Sequence, residues 1–568
     1  MPEAKETKAQ RIERLKRSKN PWEHLDEIRE FARLGHSSIT PEWLTTYFRP
    51  WGIYSQGDGL GVVGGSGGEG RAVPFFMVRV RVPSGLLTTK QLRVLANLSE
   101  RHGNGVADIT VRQNIQLHWV AIESIPEVLQ QLWRAGLSTT GACGDVVRNI
   151  TGCPLAGYDA HEIADVSPVA LALDRELGGN PEFYNLPRKF KITVTGCPDW
   201  CTYPEINDIA LTATRRVHQG KEEIGFSVRV AGGLSTQPHL AVRLNAFVPW
   251  DQVIPAVRAI TEVFRSSEVL RQSRDRARMK YLFLEHGWTP ESFLAAVQAR
   301  LGLALDPAEP EQLPPHIHRD HLGVSPQKHP GLFSVGATVL RGRIVPAQLR
   351  LAGDLAETYA DGRVRNTATQ NLLIVNIPEA HVRTVIEKLS AGGLPVETSA
   401  FARATVACTG SEFCKLALTE TKSFARWLTE ELEERLPNFE GQLKLHITGC
   451  PNGCGQHWIA DIGIEGKKIK INGKMVDAYY FCVGGSVGKT ASIARPVGYR
   501  CRADEVPDTI ERLLHVFQDQ RHSQETLQHF LARHSIEDLR YILSGGGAEF
   551  ALRDLPAERV PHSVEDCP

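Results

Sequence analysis

The chain has 568 residues, 42% of them hydrophobic and 23% charged, an ordinary globular composition with room for about three or four domains. Lys plus Arg and Asp plus Glu both number 65, so net charge speaks for no nucleic acid, and any anion site must come from local clustering. No stretch supplies the ~18 apolar residues of a membrane span, and the charged residues 1–20 lack the apolar core of a signal peptide, so a cytoplasmic setting is expected. In such a reducing compartment the 11 cysteines read as metal ligands or catalytic groups rather than disulfides.

In chain order, residues up to Lys19 mix Lys and Arg with Glu, Leu and Ile and predict a solvated helix. Residues 57–70 form a glycine-rich loop that could lie over a ligand. Residues 75–82 alternate as a strand, with Arg79 and Arg81 on one face. The sequence then repeats itself. Gln91-Leu92, Gln113-Asn114 and Gly136-Leu137 recur as Gln348-Leu349, Gln370-Asn371 and Gly393-Leu394, an offset of 257 residues. Around each set the expected order is strand, helix, a strand ending in the Gln-Asn pair, then helix. Further on, Thr195-Gly196-Cys197-Pro198, Cys201 and Asp208-Ile209 recur as Thr448-Gly449-Cys450-Pro451, Cys454 and Asp461-Ile462, an offset of 253. Two long offsets that nearly agree imply duplication of about half the chain into pseudo-symmetric halves rather than a solenoid. The proline-rich residues 305–330 fit a linker between the halves, 504–543 show helical periodicity, and the tail from 545 is expected to be loosely ordered.

The strongest chemical signal is Cys408-x5-Cys414 followed by Cys450-x3-Cys454. Four thiolates on two short loops suit a soft metal centre and are the ligands iron–sulfur clusters need, whereas structural zinc more often has two residues between paired cysteines. Gly410, Gly449, Gly453 and Gly455 let the backbone approach closely. With Ala407-Cys408-Thr409-Gly410-Ser411-Glu412-Phe413-Cys414, Thr448-Gly449-Cys450-Pro451-Asn452-Gly453-Cys454-Gly455, Arg112-Gln113-Asn114-Ile115-Gln116 and Leu186-Pro187-Arg188-Lys189-Phe190-Lys191, the sequence resembles the nitrite/sulfite reductase family over residues 50–540.

The resemblance implies an α+β fold: two ferredoxin-like half-repeats (71–140 and 330–400) and two mixed α/β sirohaem/[4Fe–4S] domains (141–320 and 401–545), related by a pseudo-twofold duplication. Residues 1–70 would be an N-terminal arm and loop, and 546–568 a tail. It implies a [4Fe–4S] cluster on Cys408, Cys414, Cys450 and Cys454, with the Cys454 sulfur also ligating sirohaem iron. Arg79, Arg148, Lys189 and Lys191 match the family's substrate side, and Arg112 and Gln116 its contacts to haem carboxylates. Sirohaem and an oxyanion bring many negative charges that burial would make costly without fixed cations, and Arg binds them bidentately. Without the resemblance Arg79 and Arg81 would read as a solvated strand face. Lys189 and Lys191, alternating on an apolar strand, suggest an anionic partner by themselves.

The first copy keeps Cys197 and Cys201, with Cys143 and Cys153 near the places of Cys408 and Cys414, but Asp199-Trp200 and Thr202-Tyr203 replace the residues flanking Cys454, glycines among them. These four cysteines are expected to be remnants rather than a second cluster. Cys143 and Tyr54 resemble a tyrosine–cysteine pair of some sulfite-reducing members. Residues 484–490 lack the spacing of a phosphate loop, and no flavin or nicotinamide domain is evident, so electrons are expected from ferredoxin or a similar small protein, or from a separate flavoprotein. Lys191 is typical of sulfite-reducing members, where nitrite-reducing ones carry Asn; residues 417–422 and Cys454-Gly455-Gln456 look more like the nitrite type. Sulfite is the expected substrate and nitrite the alternative. A non-catalytic haem- or metal-binding protein, or a zinc-stabilised RNA-modifying protein, are the readings from other classes.

Overall fold

The computed structural model describes residues 6–62, 70–311 and 319–546. Parts of the glycine-rich loop, the proline-rich linker and most of the tail lie outside the described residues.

Four five-stranded sheets, matched in pairs, form the framework. In the first, β1 (Ile53–Gly57), β2 (Ala72–Val80), β5 (Ile115–Ala121) and β4 (Ala107–Ile109) are joined at the edge by β13 (Arg343–Ile344), which comes from the second half of the chain. Its mate orders β11 (Gly323–Pro326), β12 (Leu332–Ala337), β15 (Leu372–Pro378) and β14 (Arg363–Asn366), then borrows β3 (Leu86–Thr88) from the first half. Each half-repeat thus completes its partner's sheet, with Arg343 opposite Asp108 and Arg363 opposite Thr88. The helices Thr89–His102 and Pro346–Tyr359 pack on one another, and one apolar core runs through both half-repeats. Burying that shared core stabilises the pair as one unit.

The repeated Gln-Asn pair explains part of this join. It does not end a strand as expected but sits in the turn before β5 and before β15, with Gln113 and Gln370 at φ 61° and 66°. Gln113 Nε2 donates to Gly152 O and Asn366 O (2.9 and 2.8 Å) while its Oε1 accepts from Gly152 N (3.0 Å). Gln370 does the same toward Ala407 and Ile109. Each amide therefore satisfies buried backbone groups at three-way junctions that a sheet ladder leaves open.

The other two sheets are β6 (Thr151–Gly152), β7 (Ile192–Thr195), β8 (Ile209–His218), β9 (Lys221–Val230), β10 (Val242–Pro249), and β16 (Thr405–Ala407), β17 (Leu445–Thr448), β18 (Ile462–Ile471), β19 (Lys474–Val483), β20 (Arg495–Arg502). In each the first three strands run parallel and the last two antiparallel. The long hairpins β8–β9 and β18–β19 turn on Gln219-Gly220 and Asn472-Gly473, all at positive φ, the two-residue turn whose twist matches paired strands. These sheets have separate apolar cores. The strand bounds from β7 to β10 recur at β17 to β20 with the 253 offset read from the sequence. Three helices over residues 506–544 cover the last sheet, as the periodicity predicts.

The N-terminal helix Lys8–Ser18, capped by Thr7 and Gln10, is not simply solvated. Glu13 and Lys16 are buried, Lys16 bonds Glu13 (2.6 Å) and meets Asp145 (3.3 Å), and Arg271 reaches Glu13 (2.7 Å). The mixed charges that suggested a solvated face are the ones that dock it. Among the described residues, no helix is long and apolar enough to cross a membrane.

Candidate active site

Cys408 follows β16 and Cys450 follows β17, so the parallel pairing of these strands brings both cysteine loops to the same end of the sheet. Gly410 (φ 69°) and Gly455 allow this: an added Cβ would come within 2.4 Å of Thr421 Oγ1 at the first and 2.2 Å of Ile447 O at the second. Gly449 N donates to Cys408 Sγ (3.2 Å) and Asn452 Nδ2 to Cys450 Sγ (3.4 Å), bonds that stabilise sulfur carrying negative charge. Burial, with repulsion from the neighbouring sulfurs, raises Cys408 and Cys450 above the usual thiol range and Cys414 to about 12. Cationic iron would relieve that crowding of charge. These four sulfurs do not form a group tight enough for one ion, whereas a multi-iron cluster needs the wider setting. The donor set fits a [4Fe–4S] cluster.

Cys450 is buried, but Cys454 is exposed, and it acts electrostatically on both Arg79 and Lys189. Its sulfur therefore adjoins the basic residues predicted from the sequence. Arg79 on β2 stands opposite Gln116 on β5 and donates to its Oε1 (3.1 Å), while Gln116 Nε2 donates to Thr409 Oγ1 in the cluster loop (3.3 Å). Arg79 also donates to Cys143 Sγ (2.9 Å), and Tyr54 acts on the same guanidinium. Arg112, in the β4–β5 turn, bonds Asn207 and the carbonyls of Asn149 and Ile192; its Nε is buried without a partner, and burial with neighbouring Arg148 lowers its pKa to about 9. Arg148 bonds the carbonyls of Gly144 and Ala142. None of these three arginines has a carboxylate partner among the described residues.

Lys189 and Lys191 alternate with Phe190, which is buried and stacked on Phe264 at 4.9 Å, so both ammonium groups face the opposite side. Neither has a hydrogen bond or ion pair for its Nζ among the described residues. Burial followed by the Arg188 charge lowers Lys189 to about 7, and burial with Arg278, Lys189 and Arg112 holds Lys191 well below an ordinary lysine. Such a cluster of desolvated, mutually repelling amines loses protons readily and holds its full charge best beside an anion.

The duplicated half makes the contrast clear. Lys444, mate of Lys191 at offset 253, is neutralised by Asp461 through Nζ (3.2 Å). Asp208 holds the place of Asp461, but Arg278 occupies its carboxylate at 2.8–3.1 Å and leaves Lys191 only a backbone bond. Arg403, mate of Arg148 in the register that matches Gly152 with Ala407, is held by Asp320 (2.8 and 2.9 Å). A cavity of about 140 Å³ lined by Arg403 and Lys444 lies in that second half, but its cations are already paired. The first copy keeps its positive charge free.

Arg278 was not predicted from the sequence; no motif surrounds it, and its role follows from a contact 70 residues away. Arg81 is not a solvated strand residue either: it is buried against Asp174 and Thr140 O. In the loop resembling a phosphate site, Gly488 N donates to Glu205 Oε1 (2.5 Å), so a carboxylate holds that backbone group. The cysteines of the first copy are not arranged as expected. Gly152 matches Ala407, so Cys153 stands at the register of Cys408, Asp159 at that of Cys414, and Cys143 lies apart beside Arg79.

A family model described as the nitrite and sulphite reductase 4Fe-4S domain matches residues 143–305 and 398–545. A second, the nitrite/sulfite reductase ferredoxin-like half domain, matches residues 70–134 and 325–392. A ferredoxin–nitrite reductase of Synechococcus elongatus is 37% identical over 521 residues, covering 89% of this chain and 96% of that protein. A ferredoxin-dependent sulfite reductase of Mycobacterium tuberculosis is 35% identical over 539 residues, covering 93% and 95%. The solved structure of the Mycobacterium tuberculosis NirA protein superposes with a TM-score of 0.87 at 34% identity, covering 93% of this chain and 97% of that one.

Proposed function

The chain belongs to the nitrite and sulfite reductase family, and from that premise we propose that it reduces sulfite to sulfide with six electrons at a sirohaem joined through Cys454 to the [4Fe–4S] cluster on Cys408, Cys414, Cys450 and Cys454. When bound, sirohaem and cluster supply single electrons and an open coordination position for the oxyanion. Arg112 and Gln116 would hold haem carboxylates. Arg79, Arg148, Lys189 and Lys191 would hold the substrate oxygens.

The observation that carries this reading is the unpaired state of Lys189, Lys191 and Arg148, when the mates of Lys191 and Arg148 in the second copy are neutralised. Fixed cations aimed at developing negative charge favour the reaction without reorganisation during it. Lys189 Nζ, with a pKa near 7, is suited to hold a proton and pass it toward substrate oxygen as water leaves. Lys191 favours sulfite, a dianion near neutral pH, over nitrite, a monoanion, because the Coulomb term grows with ligand charge. Nitrite reduction at the same centre is the second reading, supported by the name of the Synechococcus relative at similar identity.

A reduced ferredoxin or similar small electron-transfer protein is the proposed donor. The proposed setting is cytoplasmic: the ten cysteines among the described residues are free, as cluster ligation requires. The half-repeats at 71–140 and 330–400, and the larger domains at 141–320 and 401–545, are the proposed functional divisions. Steady-state turnover of the anaerobically purified chain with one reduced donor tests the substrate. Higher kcat/KM for sulfite than nitrite supports the assignment, and the reverse order replaces it with nitrite.

A further inference from the structure

Away from the active site, the first copy holds a second set of soft ligands. The ligand atoms of Cys153, Cys201 and His321 all lie within 4.8 Å of one another. Cys197 interacts with both Cys153 and Cys201, a third thiol beside that group. All four side chains are buried, the cysteines at 1, 3 and 5% exposure in chain order and His321 at 5%. Both ring nitrogens of His321 lack a hydrogen-bond partner among the described residues. A buried imidazole normally satisfies at least one nitrogen, and leaving both empty is costly. A metal ion between His321 and the thiols would satisfy one of those two nitrogens.

We propose that Cys153, Cys197, Cys201 and His321 bind a single structural Zn²⁺ ion.

The duplication explains the ligand set. Cys153, Cys197 and Cys201 stand at the registers of Cys408, Cys450 and Cys454, so three of the four cluster positions survive. The fourth, that of Cys414, is Asp159, which is turned away to Arg319. His321 enters instead from the segment that joins the two halves. Its position is fixed from both sides: Arg319 is held by Asp159 and Asp199, and Asp320 by Arg403.

The size of the site selects a single ion over a second cluster. Zinc–sulfur bonds of about 2.3 Å and zinc–nitrogen bonds of about 2.0 Å place tetrahedral donors roughly 3.5–3.8 Å apart, inside the 4.8 Å limit that Cys153, Cys201 and His321 meet; Cys197 stands outside that mutual limit and would move in to complete the site. A four-iron cube, with iron and sulfide between its thiolates, needs more room. Trp200 stands at the register of Gly453, where the cluster copy has no side chain, and lies under the Arg229 guanidinium at 4.8 Å. Thiolate and imidazole donors without an open position are the ligand set of structural zinc. Three thiolates would leave the site with one net negative charge beside Arg319, which acts electrostatically on Cys153 and is shared with Asp159 and Asp199. The ion would tie the loops after β6 and β7 to the inter-half segment, and its binding energy would become folding energy for the first half.

The test is metal analysis of the full-length holoenzyme, purified anaerobically without added zinc, beside variants His321→Ala, Cys153→Ser and His321→Cys. The expected result is about one zinc per chain in the wild type and in His321→Cys, falling at least about ten-fold in the other two. Iron content and the sirohaem spectrum should stay unchanged in all four. Cobalt substituted into the wild type should show tetrahedral thiolate absorption that His321→Ala abolishes. A wild type without zinc overturns the proposal whatever the variants do, as does zinc that persists in both His321→Ala and Cys153→Ser. Loss of four irons in the Cys153 variant would mean a second cluster, and iron in place of zinc would refute the zinc assignment.

Discussion

Replacing Lys191 by Asn removes one charge and leaves the local backbone as it is. The bond that fixes position 191 runs from its backbone N–H to Asp208 Oδ2 at 2.8 Å, and Arg278 keeps the rest of that carboxylate. The ammonium has no hydrogen-bond or ion-pair partner among the described residues and is repelled by Arg278, Lys189 and Arg112, with Asp208 as the one opposing charge named beside it. A bound anionic substrate would add to that opposing charge. A hydrogen bond to a charged group contributes about 1.5–3 kcal/mol, so its loss should lower kcat/KM for sulfite roughly ten- to hundred-fold. Nitrite has half the charge and one oxygen fewer, so its loss should be several-fold smaller. Steady-state turnover of both proteins on both substrates, with the same reduced donor, measures the difference. Thermal unfolding without substrate provides the control. Removing a half-buried charge that is repelled by its neighbours should leave the variant at least as stable as the wild type. Equal losses on the two substrates would refute selective recognition and assign Lys191 to haem binding or general proton supply.

Cys454→Ser should abolish the magnetic coupling between cluster and haem and lower turnover more than about 100-fold, if Cys454 is the shared sulfur as proposed; EPR and steady-state rates check this. Asp145→Asn should destabilise the protein at pH 7 by about 3–5 kcal/mol in urea unfolding, since it takes the carboxylate from Arg188 (3.3 Å) and leaves Arg274 (2.6 Å) and Lys16 (3.3 Å) to share Glu13 alone. Burial alone would raise the Asp145 pKa, but these three cations hold it well below the ordinary value. Its contribution is therefore full above the unfolded value of about 3.9 and shrinks as pH falls below that toward the folded value; a stability difference that stays constant to pH 2 would contradict this. Gln113→Ala should cost about 2–4 kcal/mol by leaving the Gly152 N–H and two carbonyls unpaired at the junction of three elements, again read by urea unfolding.

The sequence carried the parts of this account that depend on local spacing. The cluster cysteines lie on loops only a few residues long, and the offsets of 257 and 253 survive as matched strand ends and matched amide bonds. Lys189 and Lys191 were legible because a strand sends alternate residues to one side, whatever surrounds it. Partners far apart in the chain were not legible. The exchange of β3 and β13 between half-repeats depends on a tertiary pairing with no local signature. Arg278 matters because it occupies Asp208, and His321 because it reaches Cys153 across the whole first half. The N-terminal helix looked solvated because its charges meet their partners only after docking. Cys153 was matched to the wrong cysteine because residue spacing changes between the copies, and only the Gly152 and Ala407 bonds fix the register.

The central claim is six-electron chemistry at a sirohaem–cluster pair, and electron stoichiometry tests it most directly. The anaerobically purified chain, mixed with a limiting amount of sulfite and excess reduced one-electron donor, should oxidise six donors for each sulfide released. Nitrite should give the same ratio to ammonia. A ratio of two, or donor oxidation without sulfide or ammonia, would contradict the account.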